Sequence, residues 1–401
     1  MKNTIIIKDN ILKKYHNKKN IKKNIRKAKL EIEHIKKKIK IEKNPFYFFN
    51  NIDLDLKNIN KFNKYSTIVV IGMGGSILGA QAIYTFLKRK INKKFFFVNN
   101  IDVALLDKLK KNKDFKKLLF IIISKSGNTL ETLTNISYLK KLNINSNNSI
   151  IITEKKASAL SDYASKKKIF LIKHKKFIGG RYSVLSEVGM LPAKLMNLKI
   201  ENFKKNLNQL FKDKIKLSLS KTTSIMAENY KNKKIKSLIF LNYCPELNDF
   251  VYWCQQLIAE SLGKKGMGIL PILSQAPKDH HSLLQLYLDG PQDKVFYILS
   301  SKNKYNNKSL KNSFNKNFNF LNNKNIENIV NAQKNSLISI FKKKNIPYKE
   351  IVVKEISETS IGHLFSYFML ETVIIGKLIG VNPYDQPAVE ELKTITKKLL
   401  N

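Results

Sequence analysis

Short, uninterrupted runs of β-branched and aromatic residues recur along this chain, and each breaks into a polar turn and then a helical stretch. This rhythm constrains the fold more than any other feature. A strand with one wet face alternates apolar and polar residues; a strand without that alternation is covered on both faces. Such runs separated by helices predict an α/β fold, a parallel sheet sandwiched between helices. A first round places strands at 67–71, 94–98, 118–123, 149–153 and 168–172. Helices are expected from Ile77 to Lys88 and from Leu130, with Asp102 a candidate N-cap between them. A second round places strands at 238–243, 294–300 and 351–354, with a helix over 248–262. Helical segments at about 361–379 and 388–399 close the chain. At about 150 residues per domain, 401 residues imply two or three domains.

The formal net charge of +44 invites a nucleic-acid or membrane-surface reading. The residue types argue against it. Only Arg26, Arg89 and Arg181 are arginines; the other basic residues are lysines, and Asn and Ile abound alongside them. Nucleic-acid readers lean on the bidentate guanidinium, so compositional drift toward Lys, Asn and Ile explains the charge better. No specific nucleic-acid partner is expected. The closest thing to a membrane span, 361–381, contains His363, Glu371 and Lys377, which fits a buried helix better than a lipid-facing one. No membrane partner is expected. The two cysteines, Cys244 and Cys254, form neither a disulfide framework nor a metal spacing, and suit a reduced cytoplasm.

Five segments carry possible chemistry. Glycine is scarce, 15 in all, yet four fall within Gly72–Gly79. Such a turn after a strand is either an anion cradle or simply a tight connection; its spacing is neither a dinucleotide fingerprint nor a P-loop. The loop from Ser124 to Thr129 offers three hydroxyls and backbone donors at a helix start, which suits a phosphate monoester, although capping alone also uses Ser and Thr. Arg181 follows Gly179-Gly180, where a guanidinium can face a developing oxyanion or merely solvent. Gln256 and Glu260 are four apart and share a helix face, so Glu260 is a candidate general base or an ordinary surface carboxylate. In Asp279-His280-His281-Ser282 the adjacent histidines point in different directions and do not make a metal site.

Taken in order, IGMGGSILGA, ISKSGNTLET, GGRYSVLSEVG, AESLGKKGMG, DHHSLLQLYLDG and GVNPYDQPAVEELK resemble the motifs of the glucose-6-phosphate isomerase (phosphoglucose isomerase) family. The resemblance runs from about residue 45 to the C-terminus. It implies two sugar-isomerase-type α/β/α sandwich subdomains with parallel sheets, at 45–200 and 236–380. A Lys-rich helical arm at 1–44, a helical bridge at 201–235 and a C-terminal helical segment at 381–401 would complete the chain. It further implies a cytoplasmic enzyme without metal or organic cofactor, interconverting glucose 6-phosphate and fructose 6-phosphate in glycolysis and gluconeogenesis. The enzyme would be a homodimer with shared active sites.

By the same resemblance, Gly75 and Ser76 form the first substrate turn, and Ser124, Lys125, Ser126 and Thr129 the phosphate loop. Arg181 stands near an enediolate. Gln256 contacts substrate, Glu260 is the base, and His281 opens the sugar ring from the partner subunit. Gln386 and Lys393 complete the set from the C-terminal segment. Two positions depart from the family. Asn128 replaces a more common Thr, and Ala388 stands where Gly is usual. Ala388 would be strained only if its backbone had positive φ.

Overall fold

The computed structural model describes residues 4–11, 18–39, 41, 43–51, 54, 56–111, 118–302 and 308–400. Ten strands form two five-stranded sheets: β1 Ile5–Asn10, β2 Thr67–Gly72, β3 Lys94–Val98, β4 Leu118–Ile123, β5 Ser149–Thr153, β6 Phe170–Lys173, β7 Ser237–Asn242, β8 Leu270–Gln275, β9 Lys294–Ser301 and β10 Tyr348–Val353. The first sheet runs β3-β2-β4-β5-β6 and is parallel throughout. The second runs β1-β10-β9-β7-β8 and is parallel except for β1, which pairs antiparallel with β10. The continuous apolar runs are buried as their pattern requires, with every residue of β4 and β5 inaccessible. Asp102 caps the helix Val103–Lys110, its carboxylate accepting from Leu105 N at 3.0 Å.

The helix Glu358–Ile379 is apolar and long enough to cross a membrane, but it is the core helix of this fold, almost wholly enclosed. Phe365 and Phe368 on it meet Phe250 and Trp253 of the helix Asn248–Leu262; the Trp253 and Phe365 rings cross at 4.8 Å. This aromatic packing joins the helix that carries Glu260 to the centre of the molecule.

Two elements correct the sequence reading. The N-terminal segment is not a solvated helical arm, although 1–3, 12–17, 40 and 42 lie outside the described residues. Ile5–Asn10 is an edge strand of the second sheet, and the helix Lys18–Lys38 buries Ile21, Ala28, Ile32 and Ile35. Their spacing of seven, four and three lines one helix face; the lysines between them mask it in the composition. Asn24 Nδ2 donates to Glu228 Oε1 at 2.7 Å, tying this helix to the helix Asp213–Asn232. Beside β1, the ammonium of Lys349, fully buried on β10, pairs with Glu371 and donates to the hydroxyls of Tyr297 and Tyr367 at 3.1 and 3.2 Å. Asp9 lies opposite Lys349 in the register.

The second omission is β8, which the sequence reading did not place and which contains Pro271. β8 lies at the sheet edge, so the N–H that proline lacks is not needed by a neighbour.

Close packing around the central helix rests on Gly362. A Cβ there would lie 1.9 Å from the Phe203 carbonyl oxygen. Gly362→Ala should therefore destabilise the protein by about 1–3 kcal/mol through overpacking. A thermal melt checks this, and an unchanged midpoint would contradict the tight contact.

Candidate active site

In the first sheet, the chain passes from β2 to β3 on one side and returns to β4 on the other. Ligands of open α/β sheets bind in the crevice at such a reversal, outside the carboxyl ends of the strands. Gly72 pairs with Ile123, so the turns after β2 and β4 emerge side by side at this crevice. They are the glycine-rich turn at 73–76 and the hydroxyl loop at 124–129.

The loop folds on its own donors. Ser124 Oγ and Thr129 Oγ1 lie 2.9 Å apart, and Ser126 Oγ is 3.5 Å from Thr129 Oγ1. The amides of Gly127 and Asn128 donate to the hydroxyls of Ser124 and Ser126 at 3.1 and 3.2 Å. Gly127 has φ +73, and a Cβ there would meet Ser158 Oγ at 2.1 Å, so the turn needs glycine. Three hydroxyls and two amides thus converge at the start of the helix Leu130–Tyr138, a donor-rich cradle for an anion. Asn128 holds the loop instead of facing its centre: its Oδ1 accepts from Ala159 N at 2.9 Å. Lys125 reaches sideways. Its Nζ donates to the Lys176 carbonyl at 2.9 Å and lies 3.6 Å from Glu154 Oε1. Burial lowers the Lys125 pKa, and Glu154 works in the opposite sense.

The glycine turn leads to Arg181. Gly75 packs backbone to backbone against the next loop: a Cβ on it would lie 2.1 Å from the Gly180 carbonyl carbon. Arg181 is therefore anchored directly beside Gly75 and Ser76. Its guanidinium is 2% exposed and every nitrogen is committed. Nε donates to Ser261 Oγ at 2.8 Å, Nη1 to Glu260 Oε2 at 3.0 Å and Gln386 Oε1 at 2.8 Å, and Nη2 to the carbonyls of Pro383 and Asp385 at 2.8 and 2.9 Å. Glu260 Oε1 accepts from Gln256 Nε2 at 3.1 Å. Gln256 packs on Gly74, where φ +52 and a 2.6 Å approach to its Nε2 exclude a side chain. Among the described residues, the buried Gln256 Oε1 has no hydrogen-bond donor, and a sugar hydroxyl would satisfy it.

The fold thus gathers Gly75, Ser76, Arg181, Gln256, Glu260 and Gln386 into one connected constellation, with the loop of Ser124, Lys125, Ser126 and Thr129 at its edge. It does not bring His281 or Lys393 into that network. His281 is exposed on the 3-10 turn Lys278–His281 after β8, and Lys393 is exposed on the helix Val389–Leu399. Ala388 has φ −65 and ψ −22, a right-handed helical conformation, so its substitution for glycine brings no strain. Sequence reasoning missed Ser261 and Tyr182. The Tyr182 hydroxyl lies 2.9 Å from Ser261 Oγ and donates to the Pro383 carbonyl at 3.1 Å. Both adjoin motif residues, which was their only signal. It also missed the ion pair of Lys264 with Asp385, 2.8 Å, which holds the C-terminal segment and lowers the Asp385 pKa.

One wholly parallel and one mostly parallel sheet, with a hydroxyl-rich loop, a buried guanidinium and a paired carboxylate, fit an α/β protein of the phosphosugar-isomerase kind. A family profile described as phosphoglucose isomerase matches residues 16–401, and the chain belongs to that family. It is 31% identical over 358 residues to glucose-6-phosphate isomerase of Methanocaldococcus jannaschii, covering 87% of this chain and 88% of that one. The enzyme of the same name from Campylobacter jejuni is 30% identical over 370 residues, covering 88% and 89%. Among solved structures, a hypothetical protein from Thermus thermophilus superposes with a TM-score of 0.83 at 22% identity, covering 95% of this chain and 96% of that one. Glucose-6-phosphate isomerase of Chlamydia trachomatis superposes with a TM-score of 0.72 at 19% identity, covering 97% and 76%.

Arg181 ties 383–386 to the body of the protein through Gln386 Oε1 and two backbone carbonyls. A lysine cannot reproduce that fork. In Arg181→Lys, backbone amides in 382–400 should exchange with deuterium at least about tenfold faster, while those of β2 and β4 remain protected. Equal exchange in the two proteins would show that the clamp does not hold this segment.

Proposed function

We propose that this protein interconverts glucose 6-phosphate and fructose 6-phosphate by moving a proton between C2 and C1. The observation that carries this reading is the Arg181–Glu260–Gln256 constellation beside the hydroxyl loop. The loop of Ser124, Ser126 and Thr129 grips the phosphate and fixes the far end of the sugar, so that binding energy orients the reacting carbons. Lys125 adds positive charge beside the loop. Gly75 and Ser76 line the sugar, and Gln256 and Gln386 bind its hydroxyls.

The ring opens first. His281, aided by Lys393, moves the proton between the ring oxygen and the anomeric hydroxyl. Glu260 then removes the C2 proton of the aldose and returns it to C1. The intermediate is a cis-enediol or enediolate whose negative charge lies on oxygen. Arg181 is already fixed in a low-dielectric setting and stabilises that charge without reorganising. Because Glu260 is bonded at both oxygens, its orientation toward the substrate is set before binding.

His281 acts across a homodimer interface. Its exposure within one chain supports this, and so does an uncovered aromatic cluster elsewhere. The side chains of Phe314, Phe318 and Phe320 are 71%, 42% and 63% exposed. Their successive ring centroids lie 5.7 and 6.0 Å apart. Exposed apolar patches mark association surfaces. The two free, buried thiols suit work in a reducing cytoplasm.

Fructose 6-phosphate turnover, coupled to glucose-6-phosphate dehydrogenase, tests the chemistry. Glu260→Gln should lower kcat by roughly 10²–10⁴ with the fold intact, and Ser126→Ala should raise KM with a smaller effect on kcat. Near-normal turnover by a folded Glu260→Gln protein would remove the base assignment. Subunit exchange tests the shared site. When the inactive Glu260→Gln and His281→Ala proteins are mixed and reassembled, random pairing makes half the dimers hybrid, each with one intact site. About a quarter of the wild-type activity should return. No recovery, with exchange verified by mass spectrometry, would place His281 in its own subunit's site or outside catalysis.

A further inference from the structure

We infer that His280 is a positioning residue for His281, acting through its hydrogen bond to Tyr243. The inference rests on the reading of His281 as the ring-opening group. It explains how the turn presents one histidine of the adjacent pair and withholds the other.

The two residues sit on the 3-10 turn Lys278–His281, at the carboxyl end of β8. With about three residues per turn, neighbours on such a turn point roughly 120° apart. His280 turns inward. Its Nε2 lies 2.8 Å from the Tyr243 hydroxyl, and the two rings cross at 71° with centroids 5.6 Å apart. Tyr243 is a firm base. It directly follows β7, it is buried, and its amide donates to the Leu299 carbonyl of β9 at 2.8 Å. It also belongs to the apolar cluster of Ile239, Leu241, Ala276, Tyr287 and Phe296. His280 thus pegs the turn after β8 to the end of β7, and His281 is left exposed.

One further tie crosses to β7, where Ala276 N donates to the Asn242 carbonyl at 2.9 Å just before the turn; the others are local. Asp279 Oδ2 accepts from Gln275 N at 2.8 Å and Ser274 Oγ at 3.1 Å, and Leu283 N donates to the Asp279 carbonyl at 2.8 Å. They shape the turn on β8. Within the turn itself, the His280 peg adds a side-chain link to the end of β7, beyond the backbone bond at Ala276, and so sets how the turn sits over the strand ends. Burial raises the Tyr243 pKa, so the phenol stays protonated and is able to donate to His280 Nε2. Burial and the adjacent His281 lower the pKa of His280, Asp279 works in the opposite sense, and the net shift favours the neutral ring. His280 is therefore committed to structure, and His281 is the histidine that remains to move a proton. A proton donor must sit within hydrogen-bond reach of its target, and a misplacement of about 1 Å can cost up to 10²-fold in rate.

The test compares His280→Ala, Tyr243→Phe, their double variant, His280→Gln and His281→Ala in fructose 6-phosphate turnover, each verified as folded by a thermal melt. Both single variants that break the peg should lose about tenfold or more in kcat, with KM within about twofold of wild type because the phosphate loop is untouched. The double variant should be no slower than His280→Ala, since both changes remove one bond. His280→Gln, whose amide oxygen can accept from Tyr243, should recover most of the rate. Two results would overturn the inference: wild-type kcat in both single variants while His281→Ala is inactive, or losses that simply multiply in the double variant. An active His281→Ala protein would instead remove the assignment of His281, and the positioning role with it.

Discussion

The candidate site is organised around one buried cation. Arg181 lies in the interior, where an unpaired charge would cost several kcal/mol, and it is tolerated because every nitrogen of its fork has an acceptor. Those acceptors come from distant parts of the chain: Ser261 and Glu260 on one helix, and Pro383, Asp385 and Gln386 in the C-terminal segment. The need to satisfy this group draws the three pieces together. The same bonds aim the Glu260 carboxylate, so a requirement of stability also arranges the chemistry.

The surroundings follow from close backbone approach. Gly75 meets Gly180, Gly74 meets Gln256 and Gly127 meets Ser158, each at a distance that admits no Cβ. In a chain with only 15 glycines, their concentration here reflects geometry rather than composition. Gly75 and Gly180 meet backbone to backbone, which leaves little room for relaxation, and the positive φ of Gly74 and Gly127 fixes the other two turns. The second sheet supports this arrangement indirectly. It carries the turn of His280 and His281 at its strand ends, and the aromatic contact of Trp253 with Phe365 keeps the Glu260 helix on the core.

The lysine excess shapes the surface and leaves the core alone. Nine of the 21 residues of the helix Lys18–Lys38 are lysines, yet it packs through an isoleucine and alanine stripe. Lysine stems can cover apolar surface while their ammonium groups stay in water, so drift toward lysine is compatible with an apolar interior pattern. Lys334 and Lys349 are exceptions: Lys334 is buried and pairs with Glu350 at 3.2 Å, and Lys349 goes further. It is wholly buried and is accommodated by Glu371 and two tyrosine hydroxyls. The positive surface also favours the approach of an anionic sugar phosphate.

The sequence by itself determined the two rounds of parallel strands, the helix Asn248–Leu262 to the residue, and the turns that carry the site, because strand burial, helix periodicity and tight turns are local properties of a few neighbouring residues. Glu260 and Gln256 were legible as one helix face, and the hydroxyl loop as a cluster of donors at a helix start. Tertiary structure alone decided what is non-local. Ile5–Ile7 forms a strand only because β10 supplies a partner more than 340 residues away. Only sheet order shows that the N–H missing from Pro271 is harmless at the edge strand β8. Ser261 and the Pro383 carbonyl became visible as partners of Arg181 only when the chain closed on itself. The benign φ at Ala388 and the opposed directions of His280 and His281 depend likewise on packing. Such contacts are selected by the space between elements, and no short stretch of sequence contains that space.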